Sequence, residues 1–258
     1  MKNRIIICGY PKSGNTWLTR LTAEMVGCPV AGYWCEPFNQ DECIEGTDRE
    51  SEFECYKAHH SIEQLNHTLA LYGNGNEKVI YVVRDPRDVV VSASYYFRLR
   101  PRYVKLYQLM SLHPIGKRLY SRLFHTKKHQ IDRLTKGLLR GTKDGFWLTV
   151  PWEEHVKGYL ESDVMIVKYS DLRRDTLSEV KRICEHLGIE RSEEDLKQAI
   201  HNQSFENKKK ALLASNELKK ASSLRKGENG DWKEALGHKN VAAIEHKIGG
   251  FIKELGYE

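Results

Sequence analysis

The sequence predicts an α/β protein built on a central, mainly parallel sheet flanked by helices. Three observations carry that reading. Short β-branched apolar runs recur along the chain, each giving way to a segment of helical periodicity. The first of these changes passes through a glycine loop, "GYPKSGNTW" (Gly9–Trp17), of the kind that opens a helix onto an anion. The strand candidates are continuous apolar runs, which suits strands covered on both faces.

Taken in order, Arg4–Cys8 is the first strand and ends at Gly9. From Asn15 to about Val26, Trp17, Leu18, Leu21 and Met25 recur at helical spacing, and Gly27 is the stop. "KVIYVV" (Lys78–Val83) is a second strand after the turn-rich "YGNGNE". It runs into "RDPRDVVVSASYYF", where Asp85 can cap a helix with Pro86 at its first position. "DVMIVKY" (Asp163–Tyr169) is a third strand, followed by a helix through "SEVKRICEHLGI". "SEEDLKQAIHN" reads as a further amphipathic helix. The tail from Val241 sets Ile244, Ile248, Phe251, Ile252 and Leu255 on one helical face. Without repeats or a low-complexity linker, residues 1–258 are read as one domain. The stretch 98–143 fits the alternation least and is expected to be a basic helical excursion over the site.

Charged residues make up 29% of the 258 and the hydrophobic set 40%, ordinary for a soluble enzyme. The opening apolar run is too short for a signal peptide, and no run approaches a membrane span. Six cysteines show no C-x-x-C pair, so reduced thiols in a cytoplasmic protein are expected, with no metal and no membrane partner. The net charge of +6 hides two opposed fields. Arg98–Lys143 holds 13 Lys plus Arg against one acid, Asp132, whereas Glu36–Glu54 holds eight acids against Arg49. The basic run is read as a solvated or anion-facing cap, not as a nucleic-acid surface.

The glycine loop is almost a Walker A sequence: Gly9, Gly14 and Thr16 keep its spacing, but Asn15 stands where the lysine belongs and Lys12 has moved back into the loop. Backbone N–H groups, a helix N-terminus, the Lys12 charge and the donors of Ser13, Asn15 and Thr16 make a phosphate-like anion the natural ligand. A glycine turn carrying a surface lysine would spell the same letters. Arg84 follows a central strand at its C-terminal end, where ligands of parallel sheets collect, and Ser92 lies two turns into the next helix. An ion pair of Arg84 with Asp85 or Asp88 is the plainer alternative. A third basic, glycine-bearing loop is "LRKGENGDWK" (Leu224–Lys233). Three such loops imply a ligand with phosphates at more than one end.

"YPKSGNTWL", "YVVRDPRDVVVSASYYF" and "RKGENGDWK", in this order, resemble the cytosolic sulfotransferase family over about residues 4–235. The resemblance implies a P-loop-like three-layer fold and the cofactor 3′-phosphoadenosine 5′-phosphosulfate, released as 3′,5′-diphosphoadenosine. It assigns Lys12, Ser13, Gly14, Asn15, Thr16 and Trp17 to the phosphosulfate end and the adenine. Arg84, Ser92, Arg225, Lys226 and Gly227 fall to the 3′-phosphate, and Tyr169 and Phe205 to the adenine. Tyr169 and Phe205 suit plain core positions as well. Lys12 would then stabilise charge on the departing phosphate, in a reaction that resembles phosphoryl transfer and needs no metal. The family histidine maps to His59 in "CYKAHHS" as general base, with Ala58 in place of a usual threonine and His60 as the competing ring. "VPWEEHVKGYLES" (Val150–Ser162), with His155, is read as scaffold, and the family's C-terminal dimer signature is not met, which leaves the oligomeric state open. A P-loop-type kinase and a nucleotide- or nucleic-acid-binding module are the alternatives. The acceptor is expected to be a small molecule with a hydroxyl or amine. The acidic run beside Tyr33, Trp34 and Phe38 suggests a cationic one, and a solvated acidic loop is the alternative.

Overall fold

The computed structural model describes residues 1–36, 44–97, 104–124, 126–142, 148–214 and 227–257. Along the first part of the chain run β1 (Asn3–Gly9), α1 (Asn15–Val26), β2 (Val30–Tyr33), β3 (Phe53–Ala58), α2 (Ile62–Tyr72), β4 (Glu77–Val83) and α3 (Pro86–Tyr96). Then come α4 (Val104–Ser111), α5 (Pro114–Phe124), α6 (Lys127–Arg140), α7 (Trp152–Leu160), β5 (Met165–Lys168), α8 (Tyr169–Arg174) and α9 (Thr176–Leu187). The last are α10 (Glu193–Asn202), α11 (Phe205–Ala214), α12 (Trp232–Ala235) and α13 (His238–Glu254). They fall into two compact units: Met1–Arg84 with His155–Asn229, and Asp85–Glu154 with Gly230–Glu258.

The first unit is a five-stranded, wholly parallel sheet in the order β2-β3-β1-β4-β5. β1 sits at its centre because its run of Ile5, Ile6 and Ile7 is apolar on both faces, and all three are fully buried. One face packs Ile5, Ile7, Ile80, Val82 and Val167 against Leu18, Leu21 and Met25 of α1 and Val180 and Ile183 of α9. On the other, Tyr81 stacks on Tyr159 with ring centroids 4.0 Å apart. The Tyr159 hydroxyl meets the buried Cys8 thiol at 2.9 Å, and burial pushes that thiol's pKa up to about 12. Helix ends follow local chemistry. Gly27 closes α1, Ser61 and Gln64 form a capping box on α2, and Asp175 accepts the Ser178 N–H at the start of α9.

The second unit is helical throughout its described residues. The α6 stripe of Ile131, Leu134 and Leu138 and the α13 stripe of Ile244, Ile248 and Ile252 are buried. Asp132, the one acid of the basic run, accepts a hydrogen bond from Asn240 Nδ2 at 2.9 Å, and Trp152 meets Phe251 edge-on. Asp85 caps α3 as its sequence predicts, accepting the Arg87 N–H at 2.8 Å.

Four details differ from the sequence reading. β2, β3 and α2 are among the additional elements. The third strand is shorter, and Tyr169 opens α8 instead of closing the strand. Its hydroxyl is drawn away to the Gly227 carbonyl at 2.9 Å. Tyr33 and Trp34 are buried on internal cations, with Lys57 Nζ 4.7 Å from the Tyr33 centroid and the Arg4 guanidinium 5.3 Å from Trp34. The acidic run is partly spent internally too: Glu45 holds Arg20 and Lys208, and Glu54 holds Lys2. Phe38, with the rest of 37–43, lies outside the described residues.

Candidate functional site

The loops that follow β1, β3, β4 and β5 leave the sheet at its C-terminal edge, where the helix dipole and unpaired backbone groups of a parallel sheet gather. The first is Tyr10–Gly14. Its tightest point is Gly14, at φ 106°, where a Cβ would stand 2.5 Å from the Tyr169 ring, so only glycine lets the tyrosine close on the loop. Lys12 is itself left-handed at φ 72°, a conformation that non-glycine residues seldom hold outside functional sites. Burial, with Lys57 and then Arg84 nearby, lowers its ammonium pKa from 10.5 to about 7. Ser13 is fully buried, and its hydroxyl has no hydrogen-bond partner among the described residues.

The Asn15 side chain has partners inside the protein. Its amide turns inward, donating to the carbonyls of Gly9 at 2.7 Å and Ala58 at 3.0 Å, the last carbonyls of β1 and β3. At the ends of the two strands those oxygens need a donor, and the buried Asn15 amide supplies it. Thr16 and Trp17 are half-buried on the first turn of α1.

β3 delivers Lys57 and His59, two residues apart and therefore on one side of the strand's extension. The His59 Nδ1–H donates to the Gly9 carbonyl at 3.0 Å. Both amide protons of Asn15 go to carbonyls, so this tautomer leaves Nε2 as the ring's lone-pair nitrogen. Burial first, and Lys57 second, hold the ring's pKa well below 6.5, so it is neutral at physiological pH. The peptide of His59 is held at both ends: its N–H donates to the buried Glu36 carboxylate, and its carbonyl accepts from His155 Nε2 at 3.2 Å. His155 in turn accepts the Tyr81 hydroxyl on Nδ1 at 2.8 Å. The His60 carbonyl accepts the Tyr159 hydroxyl at 2.9 Å, and its ring Nδ1 is buried with no hydrogen-bond partner among the described residues.

Arg84 follows β4. Its guanidinium lies 4.4 Å from the Tyr169 ring centroid and donates to the carbonyls of Glu228 at 2.9 Å and Lys12 at 3.4 Å. The acids near it in sequence also hold groups of the second unit. Asp85 binds Arg87, and Asp88 accepts the backbone N–H groups of Gly230 and Trp232 at 2.9 and 3.1 Å. Gly227, at φ 62°, has the Phe205 ring where a Cβ would be, 2.4 Å away. Trp17 lies 5.9 Å from Tyr169 and 6.0 Å from Phe205, and its indole N–H donates to the Gln203 carbonyl at 3.1 Å.

Lys12, Trp17, Arg84, Tyr169, Phe205 and Gly227 are thus brought together through direct contacts. Ser92 is half-buried on α3 of the second unit, and Arg225 and Lys226 lie outside the described residues. Two cations escaped the sequence reading. Lys57 had a readable signal, its alternation with His59. Arg173, whose guanidinium is 5.6 Å from Trp17 and 5.5 Å from Phe205, had none. Among the described residues, no group of three or more His, Cys, Asp or Glu is placed to hold a metal ion.

The family defined by the Sulfotransferase domain matches residues 2–249. Human Sulfotransferase 2A1 is 27% identical over 93% of this chain and 80% of its own length. Mouse Sulfotransferase 2B1 is 29% identical over 93% and 68%. In fold, the chain is similar to mouse sulfotransferase SULT7A1 complexed with PAP, at TM-score 0.68, 20% identity, and coverage of 99% and 87%. It is also similar to retinol dehydratase in complex with androsterone and inactive cofactor PAP, at TM-score 0.65, 18% identity, and coverage of 97% and 81%.

Proposed function

Because this chain belongs to the sulfotransferase family, we propose that it transfers a sulfuryl group from 3′-phosphoadenosine 5′-phosphosulfate to a hydroxyl or amine of a small-molecule acceptor, releasing 3′,5′-diphosphoadenosine. The observation that carries this reading is the glycine loop at the start of α1, on which Lys12 is held left-handed and where burial first, then Lys57 and Arg84, lower its ammonium pKa to about 7. A helix N-terminus with cations beside it favours an anion. The buried, unpartnered Ser13 hydroxyl suits the same occupant.

When bound, the nucleotide supplies the sulfuryl group and a phosphate that departs. Lys12, with Lys57 beside it, stabilises negative charge as it grows on the departing oxygen, a fixed electrostatic role that needs no reorganisation. His59 takes the acceptor's proton on Nε2, with Nδ1–H anchored on the Gly9 carbonyl. Glu36 and His155 fix the peptide that carries the ring, so its aim is set by buried hydrogen bonds. Trp17, Tyr169 and Phe205 offer aromatic faces to a base, and Arg84, Ser92, Arg225, Lys226 and Gly227 are the residues for a second phosphate. PAP in similar folds supports this choice of nucleotide.

The test is calorimetric binding of 3′,5′-diphosphoadenosine and adenosine 5′-monophosphate, with ATP plus Mg²⁺ as a third arm. The bisphosphate is expected to bind tightest, and Arg84→Ala to erase most of its advantage. An unchanged ratio in Arg84→Ala, or tightest binding of ATP with Mg²⁺, overturns the assignment. His59→Ala is expected to cut turnover by about 10²–10⁴ with nucleotide binding intact. A wild-type rate in His59→Ala with a dead His60→Ala would move the base by one residue.

A further inference from the structure

The basic run that the site does not use forms a helical hairpin in the second unit: α4, a connection at Leu112 and His113, and α5. It is held closed by Tyr107 against Tyr120, whose centroids are 5.2 Å apart, and Tyr120 is its one buried residue among those described. The apolar residues that would ordinarily face a core face solvent. Leu109 is 67% exposed, Leu112 83% and Ile115 71%, and Leu106, Leu119 and Leu123 are exposed as well.

These residues are ordered. In α5, Ile115, Leu119 and Leu123 recur every four positions, one stripe along the helix, and Leu112 continues it one turn earlier. Arg118 and Arg122 run beside that stripe, three residues after Ile115 and Leu119, and Lys105 and Lys117 add charge. No Asp or Glu occurs anywhere from Arg98 to Ile131, and Asp132 is already bonded to Asn240.

A partner for this ridge must be apolar and anionic at once. A second copy of the chain brings the same cations against themselves. A nucleic acid answers the charge but leaves the leucines in water. An anionic lipid surface answers both, because the apolar stripe enters the boundary between headgroups and acyl chains while the arginines reach the phosphates. We propose that the α4–α5 hairpin seats this protein on an anionic phospholipid surface. The expectation of no membrane partner rested on the lack of a spanning run, and a hairpin that lies on a bilayer needs none.

The test is co-sedimentation of the full chain with vesicles of phosphatidylcholine alone and of phosphatidylcholine mixed with phosphatidylserine. Binding is expected to the mixed vesicles only and to fall as salt rises. Arg118→Glu with Arg122→Glu should weaken it by roughly 30-fold or more, from the worth of each cation near an anionic surface. Leu119→Ser with Leu123→Ser should weaken it at high and low salt alike, since it removes the inserted stripe without changing the charge. All four side chains are exposed, so melting temperature and nucleotide binding should stay at wild-type values; if a variant melts early, the salt titration of wild type stands as the independent measure. Equal binding to both vesicles, or none to either at low salt, overturns the proposal. So does a wild-type dimer that Leu119→Ser with Leu123→Ser splits, or oligonucleotide binding that the arginine pair controls and the leucine pair does not.

Discussion

Lys12 is the residue whose state most directly reports the occupant of the loop. In the ligand-free protein its ammonium is disfavoured and titrates at about 7, below the unfolded value near 10.4. The cost to stability is therefore full below about 7 and is relieved as pH rises toward the unfolded pKa. A bound phosphate reverses the preference and restores the charge. Nucleotide binding should then take up a proton above about pH 7, so affinity falls with rising pH, by at most about tenfold per unit. Calorimetry in two buffers of different ionisation enthalpy measures that proton directly. In Lys12→Arg, which stays charged throughout, the uptake should vanish. Equal uptake in both proteins would remove Lys12 from the site. The residues proposed for this chemistry were readable: the displaced lysine, Arg84 and the histidine all stand in short motifs. The internal partners of Asn15 were not readable, because its amide serves two strand-end carbonyls, which belong to β1 and β3 and become neighbours only in the sheet.

At the scale of elements, α3 organises the last loop of the chain. Asp88 is 2% exposed and accepts the N–H groups of Gly230 and Trp232, while the Arg87 guanidinium lies 3.9 Å from the Trp232 ring centroid. Removing a buried carboxylate strands both donors. Asp88→Ala should cost about 2–3 kcal/mol, read as a lower urea midpoint at unchanged slope. Asp88→Asn, which keeps one acceptor, should recover part of it. A wild-type midpoint for Asp88→Ala would show that this loop is held by something else. The strand–helix alternation that predicted the fold came from elements with continuous apolar runs. β2 has only four residues, one of them Gly32, and its edge position asks little hydrophobicity of it. α2 was overlooked although Ser61 and Gln64 spell its capping box; its face buries Leu65 alone, so periodicity is faint.

For the molecule as a whole, ligand binding and folding are one linked equilibrium. At a concentration 100 times its Kd, 3′,5′-diphosphoadenosine should add about 2.7 kcal/mol, or roughly 5–10 °C in melting temperature for a chain of this size. Adenosine 5′-monophosphate at the same concentration should add less. A bisphosphate that leaves the melt unmoved would contradict the reading of the loop. Thermal shift suffices for this measurement, with the wild-type chain alone.

The strand order also dictates when the sheet can be completed during synthesis. β4 pairs on one side with β1, and on the other with β5, through Ile80–Met165 to Val83–Lys168. Between them the ribosome must deliver all of Asp85–Glu154, a segment that belongs to the other unit and cannot finish its own packing until Gly230–Glu258 follows. Throughout that interval the nascent chain carries an apolar strand with one open edge, the template on which foreign strands add. Holding chaperones should therefore engage translation intermediates that stop between residues 84 and 165, and release those that have passed Lys168.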